Sequence, residues 1–364
     1  MPEPLVEVTE HQRRARVALT AALASGPSHA YLFRGPRGAG KARAARAFAA
    51  ELLATGAAAP DDARRRVLLD PSPHPDLVWL TPRGAQHMVE EVREKVIRSA
   101  SYRPFEGEKR VFVIEAAESM RDESQNALLK TLEEPPGFVH LLLLTAEPTA
   151  LLETIASRCQ PIDFAPLPAE AVEAALAGGG SPDDLAVAAR LSAGDVARAR
   201  YLLSDSGRKL RAAALEMGRT APSAQNQPWT QLIAAAESAG EEAEETTRKL
   251  LEEETEAGVK RSAKDITDEA KRAGRRRRTE MLDLSLQLSA TWFRDLTAAA
   301  SGAPEVIDNR DHLADLQARA VALDPSRPRR AAELVQDTRR RLDLNVSEEL
   351  ALEALSFRLA SVFA

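Results

Sequence analysis

AYLFRGPRGAGKARAARAFAAELLA, residues 30–54, passes from an apolar run through a glycine-rich turn into a breaker-free segment rich in Ala, Leu and Arg. That order reads as strand, loop and helix. Gly35, Gly40 and Lys41 have the spacing G-x-x-x-x-G-K, and Gly38 adds backbone freedom between them. Glycines so placed let successive N–H groups turn inward around an anion, while the lysine adds a point charge and the helix N-terminus its dipole. An ordinary glycine-rich turn is the bland alternative, and the flanking strand and helix weigh against it. The motif departs at Ala42. Ser or Thr at that point supplies a hydroxyl ligand for Mg²⁺, and a methyl group has no oxygen to offer.

Outward from the loop, LVWL (77–80), RVFVIEA (110–116) and HLLLLTA (140–146) are apolar runs of strand length. A helix is expected from about Gln86, where Val89, Val92 and Val96 form an apolar stripe, and another over DESQNALLKTLEE, with an acidic cap at its start and Pro135 as its stop. GAAAPDDARRRVLLDPSPHP (56–75) reads as a loop or a reduced insertion. Strands alternating with helices imply a parallel, doubly wound sheet. After PIDFAPLP (161–168) the pattern turns to Ala-rich helical segments, which places the first boundary near residue 165. From about residue 208 the chain reads as wholly helical. Residues 241–278 are expected to form one long solvated helix, with Glu set before Lys and Arg at helical offsets. LDLSLQLS (282–289) alternates like a strand, but it lacks β-branched residues and shares a four-residue stripe with Trp292 and Leu296, so it too is expected in a helix. The fold class is therefore α/β followed by all-α.

Composition narrows the function. A chain of 364 residues with 44 % hydrophobic content exceeds one compact core and suggests about two or three domains. A net charge of -6 argues against a free-standing nucleic-acid binder, since no overall positive field attracts phosphate. Cys159 is the only cysteine, which excludes an internal disulfide and a cysteine-based zinc cluster. The N-terminus lacks the basic-then-apolar pattern of a leader and no apolar run approaches membrane-spanning length, so a cytoplasmic protein with no membrane partner is expected. In a working phosphate-loop ATPase, a strand such as VFVI ends in Asp for the metal shell, often followed by a Glu that aligns water. Glu115 and Ala116 stand there instead. The cradle is present without the chemistry.

SHAYLFRGPRGAGK, NALLKTLEEPPGFVHLLLLTAEPTALLETIASRC and RTEMLDLSLQLSATWFRDL together resemble the delta-prime family of bacterial DNA polymerase III clamp loaders, relatives of the gamma/tau ATPase subunits in the AAA+ class. The resemblance is most specific over 28–41 and 110–165; NVSEELALEALSFRLA supports it less strongly. It implies an AAA+ module over 1–165, a small helical lid over 166–207 and a helical collar over 208–364. It further implies gamma/tau and delta subunits as partners, with the sliding clamp and primed DNA met through the assembled complex. The same resemblance gives Arg158 of the SRC motif a role in trans, reaching ATP held by a neighbour, where such a guanidinium is worth roughly 10³ to 10⁵ in rate. Without the resemblance, an arginine capping a helix or pairing with a carboxylate would be preferred.

Departures from the family pattern set further expectations. Many relatives carry a four-cysteine zinc module before the HPD stretch, whereas here only His74, Pro75 and Asp76 remain, so neither zinc nor another metal site is expected. Ala197 stands where ATPase members have a lid arginine, with Arg198 beside it. Gly35, Gly38, Gly40 and Lys41 are then a degenerate phosphate site, and weak ATP binding stays open. The alternative is a catalytically active gamma/tau-like ATPase. The basic cluster Lys271, Arg272, Arg275, Arg276, Arg277 and Arg278 is favoured as a solvated helical face over a DNA contact. His29 and His74 read as structural, and Trp229 and Trp292 as packing anchors.

Overall fold

A computed structural model of the chain describes residues 5–82, 86–220, 226–256, 262–342 and 346–364. They fall into two compact units, Met1–Pro168 and Ala169–Ala364. In the first unit the order is α1 (Leu5–Val8), α2 (Arg13–Ser25), β1 (Ala30–Arg34), α3 (Lys41–Ala54), α4 (Pro60–Val67), β2 (Leu77–Leu80), α5 (Val89–Val92), β3 (Arg110–Ile114), α6 (Asp122–Glu133), β4 (Val139–Thr145), α7 (Glu153–Ala156) and β5 (Gln160–Asp163). All strand pairs are parallel, in the spatial order β2-β3-β4-β1-β5. The strand order therefore reverses at β1, which lies between β4 and β5.

Alternation along the strands builds two cores. Tyr31, Phe33, Val111, Val113, Leu142 and Leu144 face α2 and α3, packing on Leu19, Phe48 and Leu52. Leu32, Phe112, Ile114, Leu141 and Leu143 face the opposite way, onto Val92, Val96, Leu128 and Leu132. Each of these large side chains stabilises the fold by about 1.5–3 kcal/mol through burial. The expected strands and the two-faced sheet are present.

Several local expectations need correction. The 56–75 loop contains α4, whose Pro60 occupies the first turn with Asp61 and Asp62 behind it and Arg64–Arg66 in its last turn. These are favourable for both ends of a helix dipole. The helix expected from Gln86 begins at Val89 and passes through a π-helical turn, Arg93–Arg98. In α6 the first helical residue is Asp122 itself and Arg121 precedes it without a side-chain cap. The strand β5 has no apolar alternation: it is short, holds Pro161 and pairs only with β1.

The second unit is helical throughout: α8 (Ala169–Ala175), α9 (Pro182–Leu191), α10 (Val196–Leu203), α11 (Asp205–Arg219), α12 (Pro228–Glu256), α13 (Ala263–Ala300), α14 (Leu313–Ala320), α15 (Ser326–Leu342) and α16 (Glu348–Phe363). The segments expected at 166–207, from Ala169 on, and at 208–364 both lie here. LDLSLQLS is helical within α13. The single helix expected over 241–278 is instead parts of two, α12 and α13; residues 257–261 of that expectation lie outside the described residues. Ser262 starts α13 with a capping box to Asp265.

These two helices run antiparallel at close range. A Cβ on Gly274 would stand 2.9 Å from the Gly240 carbonyl oxygen, and one on Gly240 would stand 3.0 Å from that of Gly274. Glycine is needed at both because backbone meets backbone. Arg278, on the same face, pairs with Glu237 and Glu348, and Arg277 stacks over Tyr201 at 4.5 Å. Those two members of the basic cluster therefore pack within the unit, while Lys271, Arg272, Arg275 and Arg276 are exposed. Trp229 and Trp292 are buried, the first against Phe357 and the second beneath Arg219.

Helix propensity alone would favour a side chain at Gly274 by about 1 kcal/mol, but here contact overrides propensity. Gly274→Leu is expected to lower stability by about 1–3 kcal/mol, read from the urea midpoint. Arg275→Ala, on the exposed side, should stay within about 0.5 kcal/mol of the parent.

Candidate functional site

The glycine-rich loop leaves β1 where the strand order reverses and runs directly into α3. Gly35, Gly38 and Gly40 have φ of +151°, +74° and +87°, and Gly40 is the left-handed residue that precedes α3. Open space adjoins Gly40, but a Cβ on Gly35 would lie 2.1 Å from the Phe164 carbonyl oxygen. The first glycine of the motif is thus required by the approach of the chain leaving β5, whether or not phosphate binds. Lys41, the first residue of α3, directs its ammonium at the Gly35 and Pro36 carbonyls at 2.6 and 2.7 Å. The loop is further tied by Gln12. Its buried amide donates to the Ala39 and Ala165 carbonyls at 3.1 and 2.7 Å and accepts from the Ala165 N–H at 2.9 Å.

Beside the loop, at the carboxyl ends of β1, β4 and β5, lies a cleft of about 450 Å³ lined by Arg34, Pro36, Ala146, Asp163 and others. Arg34 and Asp163 form a two-pronged ion pair at its wall, and the guanidinium hydrogen bond holds the Asp163 carboxyl below its ordinary range. A crevice at the point of strand-order reversal is where open α/β sheets receive ligands.

The residues present fit phosphate better than they fit magnesium. Ala42 packs its methyl on the apolar core under the loop. Glu115 follows β3 but leans toward β2, away from β1, where its carboxylate accepts from Trp79 Nε1 at 2.9 Å. Burial raises its pKa, which opposes a metal-binding charge. Arg46 lies over the Trp79 ring at 4.3 Å and also binds the Leu69 carbonyl and Asp70, so the indole is held from above. Glu118 reaches the end of β4 instead, accepting from the Ala146 N–H at 3.3 Å. Ala116 sits in the left-handed region, φ +46°, and carries no carboxylate. Among the described residues no group of three His, Cys, Asp or Glu is placed to hold a metal ion. His74 is buried with its Nδ1 accepting from the Asp76 N–H.

Arg158 lies away from the loop. It follows the C-terminus of α7, with Nη1 donating to the Thr154 carbonyl at 2.9 Å and Nη2 2.7 Å from Glu133 Oε1. Ser157 also folds back on Thr154, and Cys159 is buried among Ile155, Leu151 and their neighbours. The three residues of SRC thus close a helix, expose a guanidinium and anchor the chain beneath it. In the second unit, Asp195 caps α10 through the Ala197 and Arg198 N–H groups, and Arg198 donates to Gln287 at 2.9 Å. The spacing of the sequence reveals neither the Gln12 tie nor the Trp79 and Glu133 contacts, all of which join residues far apart in the chain.

A glycine-rich loop joining the inner strand β1 to a helix, at the reversal of a parallel sheet, defines the phosphate-loop nucleotide-binding class. Residues 12–168 match the family described as DNA polymerase III, delta subunit. The chain is 36 % identical over 201 residues to the DNA polymerase III subunit delta' of Pseudomonas aeruginosa, covering 52 % of this chain and 60 % of the relative. It is 35 % identical over 151 residues to that of Bacillus subtilis, covering 40 % and 45 %. The subunit tau/gamma of Haemophilus influenzae is 38 % identical over 134 residues, covering 36 % of this chain and 19 % of the relative. The matched part therefore spans less than two thirds of each of these relatives. A gamma subunit-related protein of Thermotoga maritima aligns over 95 % of this chain and 99 % of its own at 12 % identity and a TM-score of 0.42, a likeness too low to add to the sequence match. Residues 12–168 match this family and the chain is 35–36 % identical to two delta' subunits, which bears out the resemblance carried by the motifs at 28–41 and 110–165. No helix among the described residues is long and apolar enough to cross a membrane.

Burial pushes the Cys159 thiol up to about 12. At pH 8 only about one thiol in 10⁴ is then ionised. Native protein is expected to resist Ellman's reagent over minutes and to react with one equivalent in urea; rapid native labelling would contradict the buried placement.

Proposed function

We propose that this chain is a delta-prime-type subunit of a bacterial DNA polymerase III clamp loader, which does not itself hydrolyse ATP and presents Arg158 to nucleotide bound by a neighbouring gamma/tau subunit. The relationship of residues 12–168 to delta-prime subunits carries the reading. Its partners would be gamma/tau and delta subunits, with the sliding clamp and primed DNA engaged through the complex, in the reducing cytoplasm that a lone buried thiol suits. Helices α8–α10 would serve as the lid and α11–α16 as the collar.

Chemistry supports the division of labour. Phosphate can be received by the N–H groups of the loop and by Lys41 once it leaves its own carbonyls, so weak nucleotide binding is retained. Magnesium lacks the hydroxyl at Ala42, and Glu115 is committed to Trp79. Arg158, by contrast, is partly exposed beside Glu133 and carries a permanent charge in a planar fork suited to phosphate. The gamma/tau matches favour a second reading, an active ATPase. Steady Mg²⁺-dependent multiple turnover by the isolated chain would establish that reading, whereas none is expected.

In a reconstituted loader, Arg158→Ala should slow ATP hydrolysis at the abutting site by about 10³-fold while the complex still assembles, as seen by gel filtration. Lys41→Ala should lower the rate far less. An unchanged rate in Arg158→Ala would remove the trans-acting role.

A further inference from the structure

The carboxylate that holds Arg158 is oddly placed for a stabilising residue. Glu133 is the last residue of α6, where the helix dipole presents its negative end and disfavours an acid. Its side chain is 49 % exposed and that of Arg158 36 %, and exposed pairs of this kind add little to stability. Yet the contact is well formed, with Nη2 2.7 Å from Oε1.

The guanidinium is also fixed from a second direction. Nη1 donates to the Thr154 carbonyl in α7 at 2.9 Å. Ile155 and Cys159 on either side are buried in the apolar cluster that also holds Leu128 and Leu132 of α6, so the backbone under Arg158 is tied to the helix that carries Glu133. Two anchors on two helices set the plane of a rigid fork of five N–H donors, of which these contacts engage two. An arginine arranged in this way loses less side-chain freedom when it meets a second anion.

We infer that Glu133 is a positioning residue for Arg158: it orients the guanidinium at the surface so that the phosphate of a neighbouring subunit meets a preset fork. This rests on the role proposed for Arg158 above. Glu133 itself touches no nucleotide.

The test uses the reconstituted loader, with kcat and KM for ATP measured for Glu133→Ala, Glu133→Gln and Arg158→Ala and for the Glu133→Ala/Arg158→Ala double variant. Glu133→Ala is expected to lower kcat about tenfold through misplacement of the fork, with KM little changed. Glu133→Gln keeps an oxygen acceptor and should recover most of that loss. In the Arg158→Ala background, Glu133→Ala should add nothing. Because the pair is half exposed, melting temperature and gel-filtration profile should match the parent; should Glu133→Ala fold poorly, Glu133→Lys supplies the same kinetic reading with a larger loss. If Glu133→Ala leaves kcat unchanged or raises it while Arg158→Ala is slow, the positioning role is overturned and the trans-acting arginine stands. If Arg158→Ala is itself unimpaired, the role proposed for Arg158 falls, and the positioning role with it.

Discussion

The contact on which the N-terminal unit turns is backbone against backbone: the chain entering the glycine loop at Gly35 passes so near the Phe164 carbonyl that no side chain fits between them. Parallel pairing of β1 with β5 brings the two exits together, with Arg34 in register with Asp163. Phe164 donates its N–H to the Arg34 carbonyl, and Gly35 donates to the Thr145 carbonyl at the end of β4. Gln12 then bridges Ala39 and Ala165, tying the far side of the loop to the same exit. A loop held by three strands and a buried amide keeps its shape without a ligand. Its geometry is set by the protein's own backbone and side-chain contacts.

The electrostatics of the same region point the same way. A metal shell needs ionised oxygens that converge beside the loop. Glu115 is desolvated, its pKa is raised, and its oxygen is taken by an indole N–H under a stacked guanidinium. Glu118 is directed to the backbone of Ala146. The positive groups behave differently. Lys41 is turned onto its own loop, whereas Arg158, half-buried, is paired with the exposed Glu133.

Much of this architecture was legible because strong local signals agreed with the tertiary result. Four apolar runs became strands β1 to β4, and LDLSLQLS became part of the helix α13. What was missed had either a weak local signal or none. Pro60 with Asp61 and Asp62 is a helix-start signal that the surrounding prolines and small residues obscured. β5 gains its pairing from β1 alone, so its exposed residues show no alternation. The break between α12 and α13 falls inside a continuous charge pattern, and Ser262–Asp265 is the one cue to a restart. Glu133 ends α6 and Arg158 follows α7, 25 positions apart in the chain, and only the packing of α6 against α7 brings them together. Gly35 was read for its motif, yet the neighbour that demands glycine there is residue 164.

The twin glycines of the second unit have a mechanical corollary. α13, with 38 residues, extends about 57 Å, and α12 lies against it so closely at Gly240 and Gly274 that no Cβ fits between the two backbones. Where α12 lies along it, α13 is braced as one of a pair of rods, and two rods side by side bend less readily than one.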